Sequence, residues 1–103
     1  MIVAVIWTEV PGAIFAGRLE LRDATATLWG RERTGAERSE SFLCHDLVDI
    51  HIERFGDDRL EGRPTLILEH RSGRRFGISP IDRVGVLGEL AERFSVHSKL
   101  LTA

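Results

Sequence analysis

Apolar and polar residues alternate along most of this chain, and the period changes once, near residue 80. Ile2–Thr8 is a short apolar, β-branched run and reads as a buried strand, closed by the turn signal Val10-Pro11-Gly12. Ala13–Leu21 follows as a second strand with Phe15, Gly17, Leu19 and Leu21 on one face, and Arg22-Asp23-Ala24 turns it into Thr25–Trp29. Gly30–Glu40 is polar with two glycines and reads as a long surface loop. Ser41–His45 reads as a short strand. In Leu47–Arg54, Val48, Ile50 and Ile52 fall on one face and Asp49, His51 and Glu53 on the other. Phe55–Pro64 is a loop by its Gly, Asp and Pro content. Thr65–Glu69 is apolar at Leu66, Ile67 and Leu68, as for a strand covered on both faces, and Ser72-Gly73 turns it back into Arg75–Ile78.

Beyond that point Ile81, Val84, Leu87, Leu90, Ala91 and Phe94 recur every three to four residues, the stripe of an amphipathic helix over about residues 80–95. Ser79 suits its N-cap, Pro80 its first position and Asp82 the capping-box place. Gly85 and Gly88 would each cost about 1 kcal/mol relative to Ala inside the helix. Close approach of that face to a sheet would compensate. The predicted class is α+β, with about seven strands and one C-terminal helix in a single domain over 1–103. The connections are too short for helical crossovers, so the strands should be antiparallel.

Composition narrows the function classes. At 103 residues, 43% hydrophobic and 29% charged, the chain suits one globular domain with a real core. A net charge of −2 argues against a nucleic-acid binder. One cysteine permits no internal disulfide and no cysteine-based zinc site, which makes a reducing cytoplasm the expected setting. No apolar run approaches the ~20 residues of a membrane helix, and MIVAVIWTEV lacks the charged leader of a signal peptide.

Three clusters carry candidate chemistry. Arg71, Arg74 and Arg75 surround Ser72-Gly73, and guanidinium forks with turn N–H groups can hold an anionic headgroup. Successive strand residues face opposite ways, however, and Glu69 is close in sequence, so the bland alternative is a solvated hairpin. Asp49, His51 and Glu53 share a strand face and have the residue types of a divalent-metal site, with His70 within reach if the strands pair. The same alternation describes the polar face of a half-exposed strand. Cys44-His45-Asp46 has the residue types of a catalytic triad, but on a strand its first two members point apart, and a buried structural cysteine is the simpler account. Asp57–Glu61 lacks EF-hand spacing. No phosphate-loop, dinucleotide or nucleophile-elbow motif is present.

GRLELRDATATLWG resembles the G-x-L-x-L-turn-x-L-x-x-G hairpin of bacterial pleckstrin-homology-like (PH-like, GRAM-like) domains. GRPTLILEHRSGRRFGISPIDRVGVLGELAERF resembles their closing hairpin and helix. The likeness spans residues 13 to 95. It implies two near-orthogonal antiparallel sheets forming a barrel, plugged at one end by the helix, and a scaffold that binds proteins, peptides or lipids. Eukaryotic members carry a tryptophan in that helix, where this chain offers Leu90 or Phe94. The phosphoinositide-binding basic pattern is broken here, since Arg18 and Arg22 are interleaved with Glu20 and Asp23.

The expected function is a non-enzymatic interaction module with no cofactor, binding another protein or itself by strand addition to a sheet edge. The first strand is the suspected edge, with Val5 and Trp7 in a homodimer contact, because a bare apolar strand invites pairing. Anionic headgroup binding at Arg71, Arg74 and Arg75 at a membrane surface is the alternative. A metal-dependent enzyme using Asp49, His51 and Glu53 comes last.

Overall fold

The computed structural model describes residues 1–82 and 85–98. Seven strands form one antiparallel sheet: β1 (Ile2–Glu9), β2 (Phe15–Arg22), β3 (Thr25–Arg31), β4 (Glu37–Leu43), β5 (Leu47–Glu53), β6 (Thr65–His70) and β7 (Arg75–Pro80). Among the described residues one α-helix, α1 (Val86–Val96), follows them. The strand order is β4-β3-β2-β1-β7-β6-β5. The sheet is therefore a four-stranded and a three-stranded meander, joined where β1 pairs with β7 (Val5↔Pro80 through Glu9↔Phe76). It is one curled sheet rather than the two near-orthogonal sheets that the PH-like resemblance implies. Among the described residues no helix is long and apolar enough to cross a membrane.

Ring contacts across the interior measure the curl. Four inter-strand steps separate β4 from β7, about 19 Å in a flat sheet. Phe42 of β4 nevertheless stacks on Phe76 of β7 with ring centroids 5.0 Å apart, and Phe94 of α1 lies 6.5 Å from Phe42. The sheet has bent until β4 faces β7, and α1 sits over the open side with Leu87, Leu90 and Phe94 buried. Alternation supplies the concave face: Val5 and Trp7, Leu19 and Leu21, Ala26 and Leu28, Leu66 and Leu68, Phe76 and Ile78 all join one core. Each such large side chain contributes about 1.5–3 kcal/mol on burial.

Part of the convex face is covered as well. The connection from β5 to β6 buries Leu60, whose N–H donates to Thr65 Oγ1 at 2.8 Å. Ile67, Thr65 and Thr8 are buried on that side. A Cβ on Gly77 would lie 3.3 Å from Thr65 Cγ2 and 3.7 Å from Ile67 Cδ1, so the glycine admits this second layer. Full burial of Leu66, Ile67 and Leu68 follows, as their unbroken apolar run predicts.

Five local expectations are corrected. The segment Gly30–Glu40 is mostly strand: β3 runs to Arg31, β4 resumes at Glu37, and only Glu32–Ala36 turns. The sequence hid β4 because Arg38 and Glu40, its inward positions, are charged. Cys44–Asp46 is a 3-10 turn instead of the end of a strand. In β5 the register shifts between Leu47 and Asp49, so Val48 is expelled to solvent at 52% exposure while Ile50 and Ile52 pack on the core. The helix begins at Val86, because Ser79 and Pro80 extend β7 beside Ile6 and Val5, and the Ser79 hydroxyl donates to the Pro64 carbonyl at 3.0 Å. Val84 lies outside the described residues. Gly85 is the N-cap, and nothing stands within 4 Å of a Cβ on Gly85 or Gly88, so close approach to the sheet does not explain either.

Candidate interaction edge

The sheet ends on β4 at one side and β5 at the other. α1 packs on the β5 side of the sheet, contacting β5 more than β6 or β7. β4 has β3 as its one strand neighbour among the described residues. Its hydrogen-bond phase is fixed from both ends. Cys44 N donates to Ala24 O at 2.8 Å, and Glu32 N donates to Ala36 O at 2.9 Å. Antiparallel pairing alternates, so Arg38, Glu40 and Phe42 exchange bonds with β3. The N–H and C=O groups of Glu37, Ser39, Ser41 and Leu43 then point away from the sheet. The side chains of these four residues are also exposed, and the Ser41 hydroxyl lies 2.8 Å from that of Thr27.

On the concave side, β4 is held by a closed square of charges. Arg74, in the β6–β7 turn, grips Glu9 at the end of β1 with Nε 3.0 Å and Nη2 2.8 Å from the two carboxylate oxygens, and reaches Glu40 at 2.9 Å. Arg38 bonds the same two acids, Glu40 through Nε at 3.0 Å and Glu9 through Nη2. Both guanidiniums also lie over aromatic rings, Arg74 5.1 Å from the centroid of Phe76 and Arg38 5.9 Å from those of Trp7 and Phe15. The hydrogen bond from Arg74, helped against burial by that from Arg38, holds Glu9 down at about 2. At Glu40 burial pushes upward, and the hydrogen bonds from Arg74 and Arg38 outweigh it. Arg38 and Arg74 are raised in turn, each first by a hydrogen bond, to Glu40 and Glu9 respectively. The square ties β4 across the curl to the end of β1 and to the β6–β7 turn.

That arrangement changes the reading of the arginine cluster. Arg74 is committed to the square. Arg71 Nε is 3.3 Å from Asp46 Oδ1, and Arg75 Nη2 is 3.3 Å from Asp58 Oδ2. Arg75 Nε lies 3.1 Å from Glu69 but off line, so that contact is ionic without being a hydrogen bond. All three cations are thus compensated around a turn that Gly73 makes at φ +95°. Arg74 and Arg75 engage different partners, as strand alternation requires.

The other candidates separate in the same way. Asp49, His51 and Glu53 do lie together, with His51 Nδ1 2.7 Å from Asp49 and Nε2 3.9 Å from Glu53. No group of three potential ligands suited to a metal ion occurs among the described residues. His70 turns instead toward Asp46 (3.9 Å) and Ser72, whose hydroxyl lies 2.8 Å from Nδ1 and whose N–H donates to it at 3.1 Å. This has the residue order of a hydrolytic triad, yet the acid lies beyond hydrogen-bond reach. Cys44 is fully buried, and burial pushes its thiol up to about 11 from an ordinary 9.0. Alkylation of the native protein near neutral pH is expected to be at least about a hundredfold slower than that of the urea-unfolded chain, from the thiolate fraction alone. Comparable iodoacetamide rates in the two states would contradict this burial.

The suspected edge is corrected outright. β1 is the middle strand, paired with β2 and β7, and Val5 and Trp7 are fully buried in the core. Its unbroken apolar character reflects burial rather than self-association. Sequence reasoning missed the β4 edge and its charge square. The available signal was the alternation in ERSESFL of Arg38, Glu40 and Phe42 against Glu37, Ser39, Ser41 and Leu43. An open groove of about 840 Å³ also crosses the convex face, floored by Ile6, Ala13, Ile14 and Ala16 and rimmed by Arg33 and Glu61. No protein-family model matches this chain, and no curated protein matches it.

Proposed function

We propose that this protein is a non-enzymatic, PH-like interaction module of the cytoplasm that binds an extended segment of a protein partner by adding it as a strand to β4. The observation that carries the reading is the phase of that edge: Glu37, Ser39, Ser41 and Leu43 turn both backbone groups and exposed side chains outward. Main-chain hydrogen bonds supply affinity in this mode, and alternate side chains supply selectivity. The charge square favours it because a strand already held in place loses little freedom on binding. The PH-like assignment is supported by the two meanders joined through β1 and β7, with α1 over the open side. The pairing of Arg71, Arg74 and Arg75 with carboxylates argues for a protein partner over an anionic headgroup.

The test is backbone amide exchange with peptides selected from a random display library on the immobilised protein. In the free protein, diluted until it is monomeric, the amides of Glu37, Ser39, Ser41 and Leu43 should exchange fast and those of Arg38, Glu40 and Phe42 slowly. A selected peptide should slow the first set, and Ser39→Pro should abolish its binding. Proline is tolerated there because the Ser39 N–H takes no part in the β3 ladder. Selected peptides that instead protect the β6–β7 turn or the convex groove would refute the reading.

A further inference from the structure

The β4 edge is complementary to itself in one register, and we infer that its partner is a second copy of this chain, paired antiparallel across a two-fold axis at Ser39. This rests on the strand-addition reading and goes beyond it by naming the occupant and the alignment. An isologous contact requires residue i to meet j and j to meet i. With the outward groups on odd-numbered residues, the hydrogen-bonded pairs must join odd to odd.

Centring on Ser39 sets Glu37 opposite Ser41 of the second copy and Ser39 opposite Ser39, as hydrogen-bonded pairs. Between them, Arg38 falls opposite Glu40 of the second copy, and Glu40 opposite its Arg38. These are opposite charges in the non-hydrogen-bonded positions, where side chains come closest. They are the two β4 members of the charge square, 36% and 19% exposed, so each keeps a solvent-facing side for a cross-axis contact. The two squares would then run together as one alternating row of charge. Shifting the axis to Glu40 sets Glu40 against Glu40 and Arg38 against Phe42. An axis at Ser41 leaves Glu40 facing Phe42. Both alternatives lose the charge pairing, and the first adds a like-charge contact. Charge therefore selects Ser39 as the axis.

Sedimentation equilibrium of the full chain over a concentration series should show the average mass rising from 11.6 kDa toward twice that value. The rise should be weaker at high salt, and Ser39→Pro should stay at the monomer mass. Register is read by thiol oxidation, since the native Cys44 is buried. Ser39→Cys should form a disulfide-linked dimer, because its two copies face each other at the Cα spacing a disulfide accepts, whereas Ser41→Cys should not. A wild-type chain that stays monomeric while selected peptides still protect the odd-numbered β4 amides overturns self-pairing and leaves strand addition standing. A dimer that cross-links through Ser41→Cys and not Ser39→Cys overturns the register. A dimer unaffected by Ser39→Pro, with no peptide protection of β4, overturns both inferences.

Discussion

Phe42→Ala should cost about 3–5 kcal/mol of folding stability, the usual range for a buried phenylalanine. Phe42 is the side chain through which β4 touches both closing elements, Phe76 of β7 at 5.0 Å and Phe94 of α1 at 6.5 Å, with the His70 ring edge-on at 6.3 Å. It is only 7% exposed. Truncation removes all three contacts and leaves a cavity between β4, β7 and α1. Urea unfolding would give the loss. Amide exchange would localise it, since Arg38, Glu40 and Phe42 should lose protection before β1 and β7 do. A cost under about 1 kcal/mol, outside the range for such truncations, would mean that β4 does not rest on the aromatic stack.

Acidification should destabilise the protein through Glu9, and Glu9→Gln should remove much of that dependence. The Glu9 carboxyl titrates at about 2 in the fold against an ordinary 4.5. Its folded value is depressed, so its contribution is complete above the ordinary value and is lost as pH falls from there through about 2. With the side chain 24% exposed, the shift corresponds to about 2–3 kcal/mol after allowance for solvent screening. Glu40 is lowered too and adds in the same direction. Urea midpoints measured from neutral pH downward should fall steeply below about pH 5 in the wild type. Glu9→Gln should start lower at neutral pH, because Arg38 and Arg74 each lose a charged partner, and then decline less. Parallel curves for the two proteins would show that the square carries no net stability.

The sequence revealed those parts of the fold where alternation and burial agree. Leu19 and Leu21 announce β2, Leu66–Leu68 announce a doubly covered β6, and Leu87, Leu90 and Phe94 announce α1. It misled where a charged pair occupies an apolar place, as at Arg38 and Glu40, or where one signal has two uses. Ser79-Pro80 ends a strand here as readily as it would start a helix. The candidate site depends on strand order, and no hydrophobic pattern encodes that: Val5 and Trp7 look the same on a bare edge and in the middle of a sheet. The arginines were legible as a cluster, whereas their partners Glu9, Asp46 and Asp58 arrive from distant segments.

The position of β1 has a consequence for the order in which the molecule is built. β2 to β4 and β5 to β7 are hairpins between neighbours in sequence, which close quickly, whereas Thr8 finds Gly77 only after all six other strands exist. During synthesis β1 emerges first and receives its second partner last. Until then Val5, Ile6 and Trp7 belong to an apolar strand with one bare side, open to association while the fold is incomplete.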